Sequence, residues 1–462
     1  MHFIGIGGSG LSAIARVLLE KGFRVSGSDR QLTPLIKELQ SAGAQIFIAH
    51  HSENVHGAKV VIRSSAIPDS NIEVQTAKAM GIPVLKRSQY LEQLLAANDV
   101  IAIAGSHGKT TTTAMAAWTL TKIGFDPSYI IGGKARNLNT NAHAGNNTLF
   151  VIEADEYDRM FLGLKPKIAV VTNIEYDHPD CYSTPEDFYQ AFLQFSNRIK
   201  EGGYLVACSD NPGCLRLIKD NLNKRDVIRY GLGGGADPSD PDYLATGLSM
   251  HESSGYRFDV YRKNQLHAKI SLKVPGKHNV LNALACVAVA DLLKIPVEKT
   301  THALSLFDGT SRRFEVRGEM DGVMMIDDYA HHPSEIQATL SATKSSFPGR
   351  RLWVVWQPHT YSRIQALWQD FAQAFMNADQ VIVSDVFPAR ETKPEGFSTK
   401  KLVETIKHDH VRYIPEMNQI VDFVKANVQS GDVLLVLSAG NADEIITTLL
   451  GKVDRTIEAG LL

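Results

Sequence analysis

Short apolar runs alternate with helical stretches from the first residues onward. HFIGIG (His2 to Gly7) reads as a strand entering a glycine-rich turn. Leu11, Ile14, Ala15 and Leu18 then recur at i, i+3, i+4 and i+7, one face of a helix that Gly22 can stop. FRVSGSD, KVVIRSS and IPVL are further strand candidates, and the alternation predicts a mostly parallel sheet in a first unit, residues 1–98. A second unit, residues 99–311, opens on VIAIAG (Val100 to Gly105) and continues through LFVIEAD, KIAVVTNIE and GYLVACSD. The polar stretch GLGGGADPSDPDY breaks this pattern. After it, YRFDVYR and HAKISLKV predict a small antiparallel extension, and PGKHNVLNALACVAVADLLK predicts a long helix entered through a Pro/Gly turn. A third unit, residues 312–462, carries the strand candidates VMMIDDY, LWVVWQP, QVIVSDV, VRYIP and DVLLVLSAG. The fold class is therefore α/β, in three domains.

Length agrees with that division, since 462 residues is about three times a common domain size. With 44% hydrophobic and 21% charged residues, disorder, collagen and coiled coil are excluded as descriptions. Basic and acidic residues number 48 and 50, so net charge gives no sign of a nucleic-acid partner. No apolar run approaches the ~18 residues of a spanning helix, and no membrane insertion is expected. Cys181, Cys208, Cys214 and Cys286 form no C-x-x-C pair and read as buried thiols. The N-terminus shows no basic leader, which fits a cytoplasmic enzyme.

Two glycine-rich turns carry the first chemistry. AGSHGKTTTT (Ala104 to Thr113) follows a strand. Gly105 and Gly108 allow close backbone approach to phosphate, Lys109 supplies a cation, and Thr110 or Thr111 offers a hydroxyl to Mg²⁺. GIGGSG (Gly5 to Gly10) fits G-x-G-x-x-G, with Asp29 some twenty residues further on. A dinucleotide and a nucleotide-sugar present similar pyrophosphates to such a turn. Both signals on one chain suggest ATP spent on a substrate that itself carries a nucleotide.

Polar clusters follow other strands. EADEYDR places Glu153, and TNIEYDHPD places His178, where either could face the phosphate loop and a divalent ion. Asp155, Glu156, Asp158 and Asp177 read as surface charge. Asn279 and Asn282 share a helical face and could read a purine edge or cap the helix. Arg312 and Arg313 lie where the second and third units meet, and one could reach a γ-phosphate. DDYAHHPSE and QPHTYSR gather Tyr329, His332, His359 and Arg363. There Arg363 could hold a carboxylate bidentately, and His359 or His332 could orient an amine or accept its proton.

Taken in order, GIGGSG, GSHGKTTTT, EADEYD, TNIEYDH, HNVLNALA, SRRFE, DDYAHHPSE and QPHTYSR resemble the Mur ligases over nearly the whole chain. The resemblance implies a Rossmann-like N-terminal domain for the UDP-sugar, a central P-loop ATPase-type domain, and a Rossmann-like C-terminal domain for the amino acid. It implies ATP and Mg²⁺ as cofactors, with UDP-N-acetylmuramate and L-alanine joined through an acyl phosphate. The enzyme would be a cytoplasmic monomer or homodimer.

By the same resemblance, Gly105, Ser106, His107, Gly108, Lys109, Thr110, Thr111, Asn279, Asn282, Arg313 and Asp328 contact ATP. Thr110, Glu153 and His178 hold the metal, and Tyr329, His332, His359 and Arg363 hold the amino acid. Gly7, Gly8, Ser9, Gly10, Asp29, His50, Ser65 and Arg87 hold the UDP-sugar. Lys109, Glu153, His178, His359 and Arg363 are the implied catalytic groups. Thr360 stands where many relatives carry arginine, and Ala330 and Ala49 where glycine is usual. Three other readings remain open: a murein-recycling ligase that joins a tripeptide, an NAD-dependent oxidoreductase using GIGGSG and Asp29, and a nucleotide-binding regulator without turnover.

Overall fold

A computed structural model describes residues 1–233, 241–250 and 255–451. Part of the GLGGGADPSDPDY stretch and the end of the third unit lie outside the described residues. Three sheets account for the strands, one in each expected unit.

The first sheet is wholly parallel, in the order Gln45–Ile48, Ser26–Asp29, His2–Ile4, Val61–Arg63, Val84–Lys86. Its central strand, His2–Ile4, leads through the glycine turn into the helix Ser9–Glu20, which buries Leu11, Ile14, Ala15 and Leu18 as the spacing requires. Gly22 adopts φ 81° and ends that helix. The topology changes direction beside His2–Ile4, which is where open α/β sheets form their crevice.

Among the described residues the second sheet has ten strands, and three of them position the chemistry. Asp99–Ala104 lies between Leu149–Glu153 and Ile168–Val171, all parallel. The segments leaving their carboxyl ends, GSHGKT, ADEYD and TNIEYDH, therefore emerge side by side. The antiparallel extension is present as Tyr243–Met250, Tyr256–Arg262 and Gln265–Ser271. The long helix spans Lys277–Leu292 and is buried over most of its length, matching its nearly continuous apolar sequence.

The third sheet has an antiparallel edge strand, Glu315–Met320, on an otherwise parallel arrangement of Val323–Asp328, Val433–Leu437, Leu352–Trp356, Gln380–Val383 and Val411–Tyr413. One apolar core runs from Phe3 and Ile14 of the first unit to Phe150 and Phe161 of the second. The third unit has its own cores on the two faces of its sheet, one around Trp356, Phe371 and Phe375 and the other around Ile420, Val424 and Leu434.

Candidate active site

The central phosphate loop is fixed by close packing. Gly105 has φ 139°, and a Cβ there would collide with Thr172 Oγ1. Gly108, at φ 79°, precedes the helix Lys109–Lys122, and a Cβ there would come within 3.0 Å of Asn282 Oδ1. Glycine is required at both positions by conformation and by space. The Lys109 ammonium curls back onto its own loop, donating to Gly105 O at 2.6 Å and Ser106 O at 3.0 Å. It also donates to Glu156 Oε1 at 2.8 Å. Burial disfavours its charge, but Glu156 and Asp155 outweigh that and hold the ammonium above its usual range.

Thr110 Oγ1 donates to Glu153 Oε1 at 3.0 Å, and Gly132 N donates to Glu153 Oε2 at 2.6 Å. Burial pushes the Glu153 carboxyl up. His178 sits in the left-handed region at φ 56°. Its Nε2 is 3.6 Å from Glu156 Oε1 and 3.7 Å from Asp177 Oδ2, and its ring meets Tyr157 edge-on. Burial opposes a charge on this imidazole, yet Asp177 and Glu156 raise its pKa overall. The structure thus gathers Lys109, Thr110, Glu153 and His178.

It also corrects the reading of the neighbouring acids. Glu156 and Asp177 are buried, at 0% and 2% exposure, and are ion-paired to Lys109 and Arg363. Asp155 pairs with Arg87 at 2.9 Å, and of the four only Asp158 lies exposed. Burial explains the pairing, because an isolated charge there would be too costly.

Two cavities meet at this loop. One, of about 240 Å³, is lined by His107, Gly108, Thr111, Asn279, Asn282, Arg313 and Asp328 among others. Asn282 Nδ2 donates to Asn279 Oδ1, and Asn279 Nδ2 donates to Pro275 O, so the amide pair also ties down the Pro/Gly turn. Asp328 accepts from the Phe314 and Ala330 amides and shapes the cavity wall from the third unit, with burial pushing its carboxyl up to about 6.

The other cavity, of about 580 Å³, joins Ser9, Gly10 and Arg87 of the first unit to Lys109, Thr110, Glu153 and His178 of the second. Tyr329, His331, His359 and Arg363 of the third unit close it. Thr110 and Thr111 therefore face different spaces, with Thr110 beside Glu153.

The first glycine turn is built differently. Gly7 N donates to Asp29 Oδ2 at 2.9 Å and Arg30 N to Asp29 Oδ1 at 2.7 Å, so Asp29 closes the turn with both carboxylate oxygens engaged. Its cation comes from elsewhere: Arg87 lies over Gly10 and is anchored by Asp155. His50 Nδ1 lies 3.0 Å from Ser28 Oγ and 3.3 Å from the buried Glu73, and Ser65 is exposed. Gly7, Gly8, Asp29, His50 and Ser65 are not among the residues lining the shared cavity.

In the third unit, Arg363 donates Nε to Asp177 Oδ1 at 2.7 Å and Nη1 to His359 Nδ1 at 3.1 Å. A bidentate grip on a ligand through the Nε edge is therefore already taken. Because Arg363 occupies Nδ1 of His359, the neutral ring carries its proton on Nε2 and can donate there. Burial and the Arg363 charge push His359 down to about 4, so the ring is neutral. His332 is directed elsewhere than expected: its Nδ1 accepts from Ser334 N, and its Nε2 faces Tyr176 O at 3.3 Å. His331, which sequence reasoning passed over, lines the cavity instead. Its Nδ1 faces Tyr329 O at 3.0 Å, leaving Nε2 as the acceptor nitrogen.

The fold and site define a three-unit α/β protein with a phosphate loop at a cavity shared by all three units. Family models match in series: the Mur ligase family catalytic domain over residues 1–99, the Mur ligase middle domain over 103–290, and the Mur ligase glutamate ligase domain over 312–440. A UDP-N-acetylmuramate--L-alanine ligase from Geotalea uraniireducens is 43% identical over 98% of this chain and 97% of its own. The crystal structure of a UDP-N-acetylmuramate-alanine ligase from Thermotoga maritima superposes with TM-score 0.81 at 27% identity, covering 97% of this chain and 98% of that one. A murein peptide ligase from Psychrobacter arcticus superposes with TM-score 0.70 at 26% identity, covering 97% and 98%. The chain belongs to the Mur ligase family.

Proposed function

We propose that this chain is an ATP-dependent ligase that joins L-alanine to the carboxylate of UDP-N-acetylmuramate in peptidoglycan synthesis. The observation that carries the reading is the single cavity lined by Ser9, Gly10 and Arg87 at one end and by Lys109, Thr110 and Glu153 at the other. Two anionic ligands can enter it from opposite units and meet within it. Relatives that share nearly the whole chain carry that activity in their names. The oxidoreductase reading loses support because Asp29 spends its carboxylate on the turn rather than presenting it to a ribose.

On this reading the three units divide at 1–98, 99–311 and 312–462. The nucleoside of ATP occupies the smaller cavity, beside Asn279, Asn282 and Arg313, and its phosphates pass over Gly108 towards Lys109. Lys109 exchanges Glu156 for phosphate oxygens and offsets the charge that builds as the muramyl carboxylate attacks the γ-phosphorus. The carboxylate oxygen becomes part of an acyl phosphate, ADP leaves, and the L-alanine amine displaces phosphate.

Tyr329, His331, His359 and Arg363 surround the acyl centre. His359 Nε2–H donates to an oxygen of the substrate, and His331 Nε2 accepts from the amine. Closure of the cavity by all three units excludes water, which would otherwise hydrolyse the acyl phosphate. The hydroxyl of Thr110 and the carboxylate of Glu153 are hard oxygen donors held 3.0 Å apart, and burial leaves Glu153 short of compensating positive charge. Those residues suit Mg²⁺, with His178 as a further ligand once it has given up its proton. Bound there, Mg²⁺ would neutralise phosphate charge. ATP and UDP-sugars are cytoplasmic metabolites, and we place the reaction in that compartment.

The test is phosphate release with each substrate omitted in turn, and with glycine, L-serine or the murein tripeptide replacing L-alanine. Release that requires ATP, UDP-N-acetylmuramate and L-alanine together is expected. Release that ignores the amino acid, or prefers the tripeptide, would reject the assignment and in the latter case favour the recycling ligase.

A further inference from the structure

His107 is the one imidazole within the phosphate loop, and its two halves are held by different units. Its main chain is tied to the central sheet: His107 N donates to Asn173 Oδ1 at 2.8 Å, and its carbonyl accepts from Thr172 Oγ1 at 2.5 Å and Asn173 Nδ2 at 3.1 Å. Its ring lies between two carboxylates. Nε2 is 3.3 Å from Glu175 Oε2 in the central unit, and Nδ1 is 3.3 Å from Glu335 Oε1 in the third unit. The His332 ring packs against it at 4.5 Å.

Glu335 stands in the first turn of the helix Pro333–Ser346 and lines both cavities. Besides His107 it meets Arg313 Nη1 at 3.4 Å and His331 Nδ1 at 3.3 Å, and it accepts from the His331 and His332 amides. One carboxylate from the C-terminal unit therefore touches the phosphate loop, the arginine at the unit boundary and the histidine beside the acyl centre. His107, Glu175 and His332 bring donor atoms within 4.8 Å of one another, as a metal site would. His332, however, commits both nitrogens to Ser334 and Tyr176, so the cluster is an ion-pair clasp.

We propose that Glu335 is a positioning residue that couples seating of the C-terminal unit to the phosphate loop through His107. This rests on ATP occupying that loop, as proposed above. When the third unit is seated, Glu335 completes the pair of carboxylates around the His107 ring and fixes the loop where the fuel's phosphates must lie. When it withdraws, the ring keeps only Glu175 and the loop loses its second anchor. Charge is essential to the device. Burial opposes protonation of His107, but Glu335 and Glu175 overcome it and hold the imidazolium to about pH 9. The groups facing His107 are Glu175, Glu335 and the neutral ring of His332. Arg313 and His331 act on it at one remove, through Glu335.

Glu335→Gln is the discriminating variant, because the amide oxygen can still accept from the His331 and His332 amides and keep the helix start. Its kcat is expected to fall about 100-fold, the scale of a catalytic loop displaced by about an ångström, while KM for UDP-N-acetylmuramate stays within about twofold. The ratio of variant to wild-type kcat should fall about tenfold from pH 6.5 to 8.5, as His107 now titrates in that range. His107→Gln should show a similar loss with a pH-independent ratio, and the double variant should lose nothing further.

Binding of a fluorescent ATP analogue gives a reading that does not depend on the acceptor: it should weaken with rising pH in Glu335→Gln alone. That arm separates failure of the coupling from failure of the L-alanine assignment, which wild-type phosphate release tests by itself. A Glu335→Gln kcat within threefold of wild type, a flat pH ratio, multiplicative losses in the double variant, or analogue binding with wild-type pH behaviour would overturn the proposal.

Discussion

The two glycine turns answer the same demand, an anionic group at a helix start, by opposite means. The central turn carries its own cation and is packed chiefly by its own unit. Its lysine is its own, its glycines are wedged against Thr172 and Asn282, and its backbone is tied to the end of the neighbouring strand. The N-terminal turn closes on its own Asp29 but takes its cation from Arg87, which is held in place by Asp155 of the next unit. In the first arrangement the cation is in place without help from another unit. The second is complete only when two units are in register. On the proposed function, the difference suits a loop that stabilises a transition state, set against a site that binds and orients a large substrate.

Substitutions can break that contrast, and the most severe concern the central turn. Lys109→Ala should lower kcat by about 10³-fold with the fold intact, since the loop's other cation, His107, is held between Glu175 and Glu335 and cannot take its place; turnover together with circular dichroism checks this. Arg87→Ala should act on binding instead, raising KM for the sugar nucleotide by about tenfold to a hundredfold with kcat little changed. An equal fall in kcat would show that the two turns do not divide the work in this way.

A pair of glycine variants sharpens the point. Gly105→Ala sets a methyl against Thr172 at a φ that disfavours any side chain, and should cost about 2–3 kcal/mol in chemical denaturation. Gly10→Ala meets only the Arg87 side chain, which can swing aside at the expense of its pair with Asp155, so stability should stay within about 0.5 kcal/mol while sugar-nucleotide affinity drops. The smallest effect is expected at Ala49, which holds φ 70° without being glycine. Ala49→Gly should raise stability by only about 0.3 kcal/mol, because relief of that conformation is largely offset by the freedom glycine gains in the unfolded chain, measured by the same denaturation.

The strand–turn–helix units were legible because buried parallel strands and amphipathic helices write their period into the chain, as Leu11, Ile14 and Leu18 do. Edge strands were less so: Gln45–Ile48 is half exposed and Glu315–Met320 is mostly polar, so neither shows a clean apolar run. At the site, residues near one another in sequence, such as Lys109 and Thr110, were readable from the loop. Glu156 and Asp177 were not, because their burial depends on partners far away in the chain, Lys109 and Arg363. The exchange of His331 for His332 escaped for a related reason: adjacent residues at a helix start point in different directions, and only the contact with Tyr176 shows which one turns from the cavity. Glu335 carries no signal of its own in the sequence, because what distinguishes it is contact with His107 of another unit.

On the proposed route the carboxylate of the sugar nucleotide attacks the γ-phosphate of ATP inside one cavity. UDP-N-acetylmuramate labelled with oxygen-18 in that carboxylate tests it directly in the presence of ATP and L-alanine. One labelled oxygen should pass into each released phosphate, and the other should stay in the new amide. Unlabelled phosphate, or label found in AMP, would contradict it.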